Sequence, residues 1–229
     1  MSYSVLSALA PHLRPHGKEA FLRGLSPRSR VFDIGCGNDS PMRAKRVNPE
    51  IHYVGLDIGD YYQSSGSLAH ADEYIVTPPE DFAAAIEARR SSVDAIVSSH
   101  NLEHCAEPER VLRAMCNALV PGGRMYLSFP AEASKRLPRR PKNTLNFFDD
   151  PTHRTTPDLA ATLDTLKRSG MVIEFEAVRH RPWIPAAVGV LLEPVSILTG
   201  RAMPFGTTWA LYGFETVIWA GKSAGRPAS

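Results

Sequence analysis

Cysteine, net charge and long apolar runs are all scarce in this chain of 229 residues, and each shortage argues against a class of protein. The three cysteines, Cys36, Cys105 and Cys116, form no CxxC pair, so we expect reduced thiols in a cytoplasmic protein rather than a disulfide framework or a structural zinc site. A formal net charge of +2 gives no general reason to expect nucleic-acid binding. The chain begins with no lysine or arginine before its first apolar stretch, which argues against a secretory signal. The uncharged stretch Ile184–Leu192 is nine residues long and contains Pro185, so it is too short to span a bilayer.

Short apolar runs alternate with helical patterns along the first part of the chain. Strands are predicted at Val31–Ile34, Ile51–Leu56, Glu73–Val76, Val93–Ser98 and Arg124–Phe129. Helices are predicted at Lys18–Gly24, at Glu80–Arg90, from Pro108 onwards and after Thr156-Pro157-Asp158. Such alternation is typical of a parallel sheet covered by helices on both faces. Met171–Val178 and Tyr212–Ala220 are predicted to close one edge of the sheet as an antiparallel pair.

The length of the chain fits one domain with a substantial core. We expect a helical lead-in over residues 1–28 and a single domain over residues 29–229. Two stretches, 131–156 and 179–210, interrupt the strand–helix pattern. We interpret them as insertions into that domain on its substrate side.

Two neighbouring strand ends are the most informative feature of the sequence. Val31–Ile34 leads into Gly35-Cys36-Gly37, and the next strand ends at Asp57. Glycines without a Cβ allow a sharp turn and let a ligand approach the backbone. An acid at the tip of the adjacent strand is placed to accept hydrogen bonds from two ribose hydroxyls. Together the two strand ends predict a pocket for a nucleoside-bearing cofactor.

Several motifs in order resemble those of the class I S-adenosylmethionine (SAM)-dependent methyltransferases. They are Asp33-x-Gly35-x-Gly37, Asp57, the run from Val93 to His104, and Leu119-Val120-Pro121-Gly122-Gly123-Arg124. The likeness covers roughly residues 28–178 and implies SAM as the cofactor. It also implies a Rossmann-like α/β fold, with a seven-stranded, mostly parallel sheet, an antiparallel last strand and helices on both faces. The cofactor-binding residues it implies are Asp33, Gly35 and Gly37 at the methionine-side turn, Asp57 at the ribose, Ile58 at the adenine, and Ser99 with His100 closing the pocket.

The chain departs from this family at the third glycine of the first motif, where Asn38-Asp39 stands. Both residue types tolerate a left-handed backbone, so the turn is expected to survive. Asp39 is also a candidate partner for the ammonium group of the cofactor. Asp72 is either an adenine-side acid or a residue at the start of the third strand, and we favour the second. Position 40 is serine, which argues against the G-x-G-x-x-G turn of an NAD-dependent oxidoreductase.

The chemistry of methyl transfer directs attention to one histidine. A sulfonium methyl is already activated, so the enzyme mainly aligns the nucleophile and excludes water, while a hydroxyl nucleophile also needs a base. We predict His153 as that base, because the ordinary pKa of histidine is near neutrality. The alternative is a histidine that pins its loop through Asp150. Glu103 and His104 are expected to cap the following helix and to pack beneath the cofactor, and no metal ligands are predicted.

Two further segments leave alternatives open. Lys135–Lys142 carries five positive charges in eight residues and is either a solvated loop or a clamp for an anionic group of the substrate. Trp183–Leu198 is rich in apolar residues. It is either a lid over the substrate, a homodimer contact or a surface helix that touches lipid.

The function that these features favour is methyl transfer from SAM to a hydroxyl of a small molecule or a glycan, with an amine as the second choice. Two alternatives remain open. One is a SAM-binding but catalytically silent scaffold or regulatory subunit, and the other is an RNA methyltransferase. The basic segment has no interleaved aromatic residues, which argues against RNA stacking.

Overall fold

The computed structural model describes residues 14–61, 63–140 and 142–224. Its strands are β1 (Arg30–Ile34), β2 (His52–Asp57), β3 (Glu73–Val76), β4 (Val93–Ser99), β5 (Leu119–Pro130), β6 (Met171–Ala177) and β7 (Glu215–Lys222). They form one seven-stranded sheet in the order β3-β2-β1-β4-β5-β7-β6. Strands β1 to β5 pair in parallel, whereas β7 runs antiparallel to both β5 and β6. The predicted mostly parallel sheet with an antiparallel last strand is confirmed.

Helices cover both faces of this sheet. They are α1 (Lys18–Arg23), α2 (Ser40–Val47), α3 (Ser65–Leu68), α4 (Phe82–Glu87), α5 (Pro108–Ala118), α6 (Leu159–Arg168), α7 (Trp183–Thr199) and α8 (Thr207–Tyr212), with short 3₁₀ turns at Leu102–His104, Glu132–Arg136 and Phe147–Asp149. Successive side chains of a strand point to opposite faces. Phe32 of β1 therefore lies in the core with α4, α5 and α6, while Val31 lies in the core with α1 and α2.

Several predicted elements differ from the structure at their ends. The strand predicted at Arg124–Phe129 is longer and covers Leu119–Pro130. The helix predicted over Glu80–Arg90 is shorter and covers Phe82–Glu87. The strand predicted from Tyr212 begins only at Glu215, because Tyr212 ends α8 and Gly213 follows in the left-handed region with φ 60°. The helix predicted after Thr156-Pro157-Asp158 is confirmed, with the Asp158 carboxylate accepting a hydrogen bond from Ala161 N at 2.8 Å.

The predicted lead-in lies partly outside the described residues, since residues 1–13 are not among them. In the part that is described, Phe21 and Leu22 of α1 are buried in the same core as Val31 of β1. The segment from residue 14 to residue 28 therefore packs as part of the sheet domain. Among the described helices, none has both the length and the apolarity to cross a membrane.

Candidate functional site

A cavity of about 320 Å³ opens at the carboxyl ends of β1 and β4. Its wall includes Gly35 and Gly37 from the turn after β1, Ser99 and His100 from the end of β4, and Arg14, Lys18, Glu19, Ser40, Arg43, Trp209 and Glu215 from elsewhere. Gly35 has φ +76°, and a Cβ added to it would lie 2.7 Å from Asn101 Oδ1. Only glycine fits this turn, because both the backbone conformation and the space exclude a side chain.

The turn that lacks a third glycine keeps its shape through two left-handed residues. Asn38 and Asp39 both have φ 57°, as expected for residue types that tolerate this conformation. Asp39 Oδ1 accepts hydrogen bonds from Ser64 N at 2.8 Å and from Ser64 Oγ at 2.9 Å. These hydrogen bonds lower the pKa of Asp39. Asp39 therefore faces Ser64 and not the cavity, so the suggested contact with the cofactor ammonium is not supported.

Asp33 lies beneath the turn and holds a cation at the cavity wall. Its Oδ2 accepts hydrogen bonds from Lys18 Nζ at 2.9 Å, from Tyr53 OH at 2.7 Å and from Ser40 Oγ. Its Oδ1 is buried and has no hydrogen-bond partner among the described residues. A buried acceptor without a donor is costly, but Asp33 is not among the residues that line the cavity.

The two residues predicted for the ribose and the adenine lie beside this cavity and not in its wall. Asp57 stands at the tip of β2, and its Oδ1 accepts a hydrogen bond from Ile58 N at 2.7 Å. Burial raises the pKa of Asp57. The following loop covers this end of the site, because Asn38 N donates to Tyr61 O at 3.1 Å and Gln63 Nε2 donates to Cys36 O at 2.5 Å. Asp57 is 8% exposed.

Asp72 is confirmed as a structural residue at the start of β3. Its Oδ2 accepts a hydrogen bond from Tyr53 N at 2.6 Å and pairs with Lys45 Nζ at 2.7 Å. Both partners support the packing of β2 and α2. These contacts indicate no role for Asp72 at the cavity.

His100 bridges two carboxylates across the end of β4. Its Nδ1 lies 3.2 Å from Glu103 Oε1, and its Nε2 lies 3.1 Å from Glu215 Oε2. Burial alone would lower the pKa of His100, but the two carboxylates raise it to about 9. The ring is therefore a cation at neutral pH. Its backbone has φ 53°, a left-handed conformation that non-glycine residues hold at a cost near functional sites.

Glu215 is one of the residues of this site that sequence reasoning missed, together with Arg14, Lys18 and Trp209. It is 3% exposed, pairs with Arg14, and lies 3.6 Å from His180 Nδ1. Burial would raise the pKa of Glu215, but Arg14, His100 and His180 hold it far below its usual value. The sequence signal that could have found Glu215 is a single acid within the apolar run of β7, because a buried charge needs a partner.

Glu103 and His104 do not cap the following helix, which corrects the prediction. Glu107 occupies the N-cap of α5 without a side-chain hydrogen bond, and Glu103 is instead fully buried on a 3₁₀ turn. Ligand atoms of Glu103, His104 and His153 lie within 4.8 Å of one another. His104 Nδ1 is 3.0 Å from Thr152 Oγ1. The three side chains form a compact cluster of titratable groups on the far side of His100 from the cavity.

His153, the predicted base, belongs to this cluster and is absent from the wall of the cavity. Its Nδ1 lies 2.6 Å from Phe147 O, so Nδ1 carries a proton and donates it to that carbonyl. Nε2 faces Glu103 Oε1 at 4.0 Å and Asp150 Oδ2 at 3.9 Å, and the side chain is 5% exposed. The ring is pinned through the Phe147 carbonyl and not through a hydrogen bond to Asp150.

The basic segment is largely neutralised within the protein. Lys135 pairs with Glu132, and Arg139 Nε lies 2.7 Å from Asp149 Oδ1. Arg140 is 7% exposed, and its Nη2 donates to Glu193 Oε1 at 2.8 Å. Arg139 and Arg140 therefore anchor this segment, which argues against a clamp for an anionic substrate.

A second cavity, of about 600 Å³, lies on the opposite face of the sheet. Thr216 lines it, whereas the preceding residue, Glu215, lines the first cavity. Successive strand residues point to opposite faces. The second cavity is therefore separated by the sheet from the turn after β1.

The first cavity suits the amino-acid half of the cofactor that the sequence implies. Its wall combines the cations Arg14, Lys18 and Arg43 with the acids Glu19 and Glu215. A zwitterion needs donors for its carboxylate and acceptors for its ammonium group, and this wall offers both. The turn at Gly35 and Gly37 also lets a ligand approach the backbone closely.

Comparison with known proteins agrees with this architecture. A family model described as a methyltransferase domain matches residues 7–175. Over 103 residues, the chain is 29% identical to the ubiquinone biosynthesis O-methyltransferase of Aeromonas salmonicida, covering 43% of this chain and 42% of that protein. Over 108 residues it is 30% identical to the enzyme of that name from Xanthomonas campestris, covering 44% and 43%. The matches thus span less than half the length of these curated relatives.

Solved structures share the fold at low sequence identity. A methyltransferase from Haloferax volcanii, solved in complex with the Trm112 methyltransferase activator, has a TM-score of 0.63 at 16% identity and covers 99% of this chain and 96% of its own. An S-adenosylmethionine-dependent methyltransferase from Mesorhizobium loti has a TM-score of 0.52 at 20% identity and covers 89% and 96%.

Proposed function

Because the chain belongs to the class I SAM-dependent methyltransferases, we propose that it transfers the methyl group of SAM to a hydroxyl of a small molecule. The curated relatives that match part of the chain are named as O-methyltransferases of ubiquinone biosynthesis. Bound SAM supplies an activated sulfonium methyl, so the protein has to hold the acceptor in line, exclude water and take up a proton.

The proposed cofactor site is the first cavity together with the tip of β2. Lys18 and Arg14 hold the carboxylate of the amino-acid end, and Glu215 faces its ammonium group. The backbone at Gly35 and Gly37 lies against the chain of the cofactor. Asp57 accepts hydrogen bonds from the ribose hydroxyls, and Ile58, 40% exposed, packs on the adenine. Ser99 and His100 close the pocket after β4.

The observation that carries the choice of a hydroxyl acceptor is the likeness to proteins named as O-methyltransferases, and the residue that we propose as the base is His153. Its Nε2 lies 4.0 Å from Glu103 Oε1 and 3.9 Å from Asp150 Oδ2. A proton taken from the acceptor hydroxyl onto Nε2 creates an imidazolium that these two acids stabilise. The acceptor oxygen gains the methyl group and loses its proton to His153. An amine that reacts as its free base needs no such group.

The test pairs two acceptors that differ at one atom. The protein is incubated with methyl-labelled SAM and either a phenol or the aniline of the same ring, and label incorporation is measured. We expect the phenol to be methylated and the aniline to remain unlabelled. A His153→Gln variant should lose the phenol activity. His70→Gln, at an exposed histidine whose Nδ1 lies 2.8 Å from Gly66 O, should keep that activity.

The same assay separates the alternatives. Glycan and RNA fractions are added as further acceptors, and SAM binding is measured by calorimetry in parallel. Binding of SAM without label transfer to any acceptor would favour a silent scaffold. Labelling of amines alone, or of RNA alone, would overturn the proposal of a small-molecule hydroxyl.

A further inference from the structure

Helix α7 exposes large apolar residues to solvent and turns small or polar residues towards the protein, which is the reverse of an ordinary surface helix. Its outward side carries large apolar residues, which we call the apolar stripe: Trp183 at 74% exposure, Val190 at 59%, Leu191 at 78%, Ile197 at 60% and Leu198 at 86%. Its inward side carries small or polar residues. A surface helix normally shows the reverse arrangement, and contiguous exposed apolar area marks an interaction site.

Contacts on the inward side fix this orientation. Gly189 packs so closely on α8 that an added Cβ would lie 2.9 Å from Leu211 Cβ. Ser196 is fully buried and accepts a hydrogen bond from Arg140 Nε at 3.0 Å. Glu193 pairs with Arg140 Nη2 at 2.8 Å. The helix is therefore locked with its one acid turned inward, and rotation about its axis would break the buried ion pair.

The apolar stripe is not a lid over the cofactor cavity. Trp209 of α8 lines that cavity, whereas none of its described lining residues belongs to α7. The stripe faces away from the sheet, and α8 lies between α7 and the site. The described residues therefore leave the stripe uncovered.

Positive charges surround both ends of the apolar stripe. Arg179 and Arg181 precede the helix and are exposed, and their guanidinium groups donate hydrogen bonds to backbone carbonyls at the end of α8. Lys142 and Arg201, joined by a backbone bridge, follow its carboxyl end, and both are exposed. Among the described residues, no carboxylate oxygen forms an ion pair, within 4.0 Å, with any of these four cations. The outward side thus presents apolar residues bordered by unneutralised cations.

We propose that α7 seats the protein on an anionic lipid surface, with the apolar stripe in the acyl boundary and the four cations at the headgroups. An interfacial helix combines an apolar face with basic residues at its edges, and tryptophan favours the membrane–water boundary. A second copy of the chain complements the surface less well. A twofold pairing of α7 in either direction brings cations of one protomer against cations of the other, which is unfavourable.

The test uses co-sedimentation with vesicles of phosphatidylcholine alone and of an equal mixture of phosphatidylcholine and phosphatidylglycerol. We expect binding to the mixed vesicles and much weaker binding to the neutral ones. Leu191→Gln/Leu198→Gln should weaken binding at least about tenfold, because each leucine loses its transfer from water. Val76→Gln/Val172→Gln, which changes two valines of 58% exposure on other elements, should bind as the unmodified protein does.

A charge variant and tryptophan fluorescence test the same proposal in two further ways. Lys142→Gln/Arg201→Gln should weaken binding to the mixed vesicles and leave binding to neutral ones unchanged. Tryptophan emission should shift to the blue on vesicle addition, and Trp183→Phe should abolish the shift. Calorimetry with SAM, in the absence of any acceptor, verifies that each variant is folded and that the result is independent of the proposed reaction.

Two results would overturn the proposal. The unmodified protein remaining in the supernatant with both vesicle types would show that the stripe does not bind lipid. Dimers in light scattering that become monomers in Leu191→Gln/Leu198→Gln, without vesicle binding, would assign the stripe to a second copy.

Discussion

The charged state of His100 can be measured through the pH dependence of stability. Glu103 and Glu215 hold its ring at 3.2 and 3.1 Å and raise its pKa from 6.5 to about 9, against the opposing effect of burial. The folded protein therefore retains a proton over a pH range in which the unfolded chain has released it. Stability falls with rising pH wherever the folded state binds more protons.

The size of the effect follows from the shift. A change of one pKa unit corresponds to about 1.4 kcal/mol, so the shift of His100 corresponds to about 3 kcal/mol. A raised folded-state pKa contributes stability that is fully present below the unfolded value of 6.5 and is lost as the pH rises through about 9. The free energy of unfolding should therefore decline by about 3 kcal/mol across that window.

Urea unfolding at a series of pH values between about 6 and about 10 measures this decline. His100→Gln removes the titrating ring, and His70→Gln is the control. Burial raises the pKa of Cys116 to about 11 and that of Cys105 to about 12, so unfolded thiols also contribute to the slope. The difference in slope between the unmodified protein and His100→Gln therefore gives the contribution of His100. Equal slopes in the unmodified protein and His100→Gln would refute the assignment of a charged His100.

Three further outcomes are expected. Asp57→Ala should weaken SAM binding by roughly 1.5–3 kcal/mol in calorimetry, whereas the exposed Asp60→Ala should not, and equal affinities would remove the ribose assignment. His153→Ala should lower kcat by about 10²–10⁴ with little change in SAM affinity, while a loss of stability with weaker binding of both ligands would identify a structural histidine. Arg140→Ala should lower the free energy of unfolding by about 3 kcal/mol, because it leaves Glu193 half-buried without its partner, and an unchanged urea midpoint would contradict this.

The sheet was predictable because its signals are local. Strand and turn residues such as Asp33, Gly35 and Asp57 lie within short segments whose pattern follows from burial and backbone conformation. The left-handed backbone at Asn38 and Asp39 was expected from the residue types alone. These features need no knowledge of the rest of the chain.

The ionic part of the site was not predictable because it joins distant segments. His100 meets Glu215 across 115 positions of sequence, and Arg14 meets Glu215 across 201. No periodicity or spacing connects such residues before the fold is known. The anchoring role of Arg140 was missed for a similar reason, since its partner Glu193 lies 53 residues away.

A crystal structure with S-adenosylhomocysteine bound tests the central claim most directly. We expect the ligand in the cavity beside Gly35, with its carboxylate within hydrogen-bond distance of Lys18 or Arg14. Its ribose hydroxyls should lie on Asp57. Electron density in the cavity on the opposite face of the sheet, or a ribose away from Asp57, would contradict the assignment of this site.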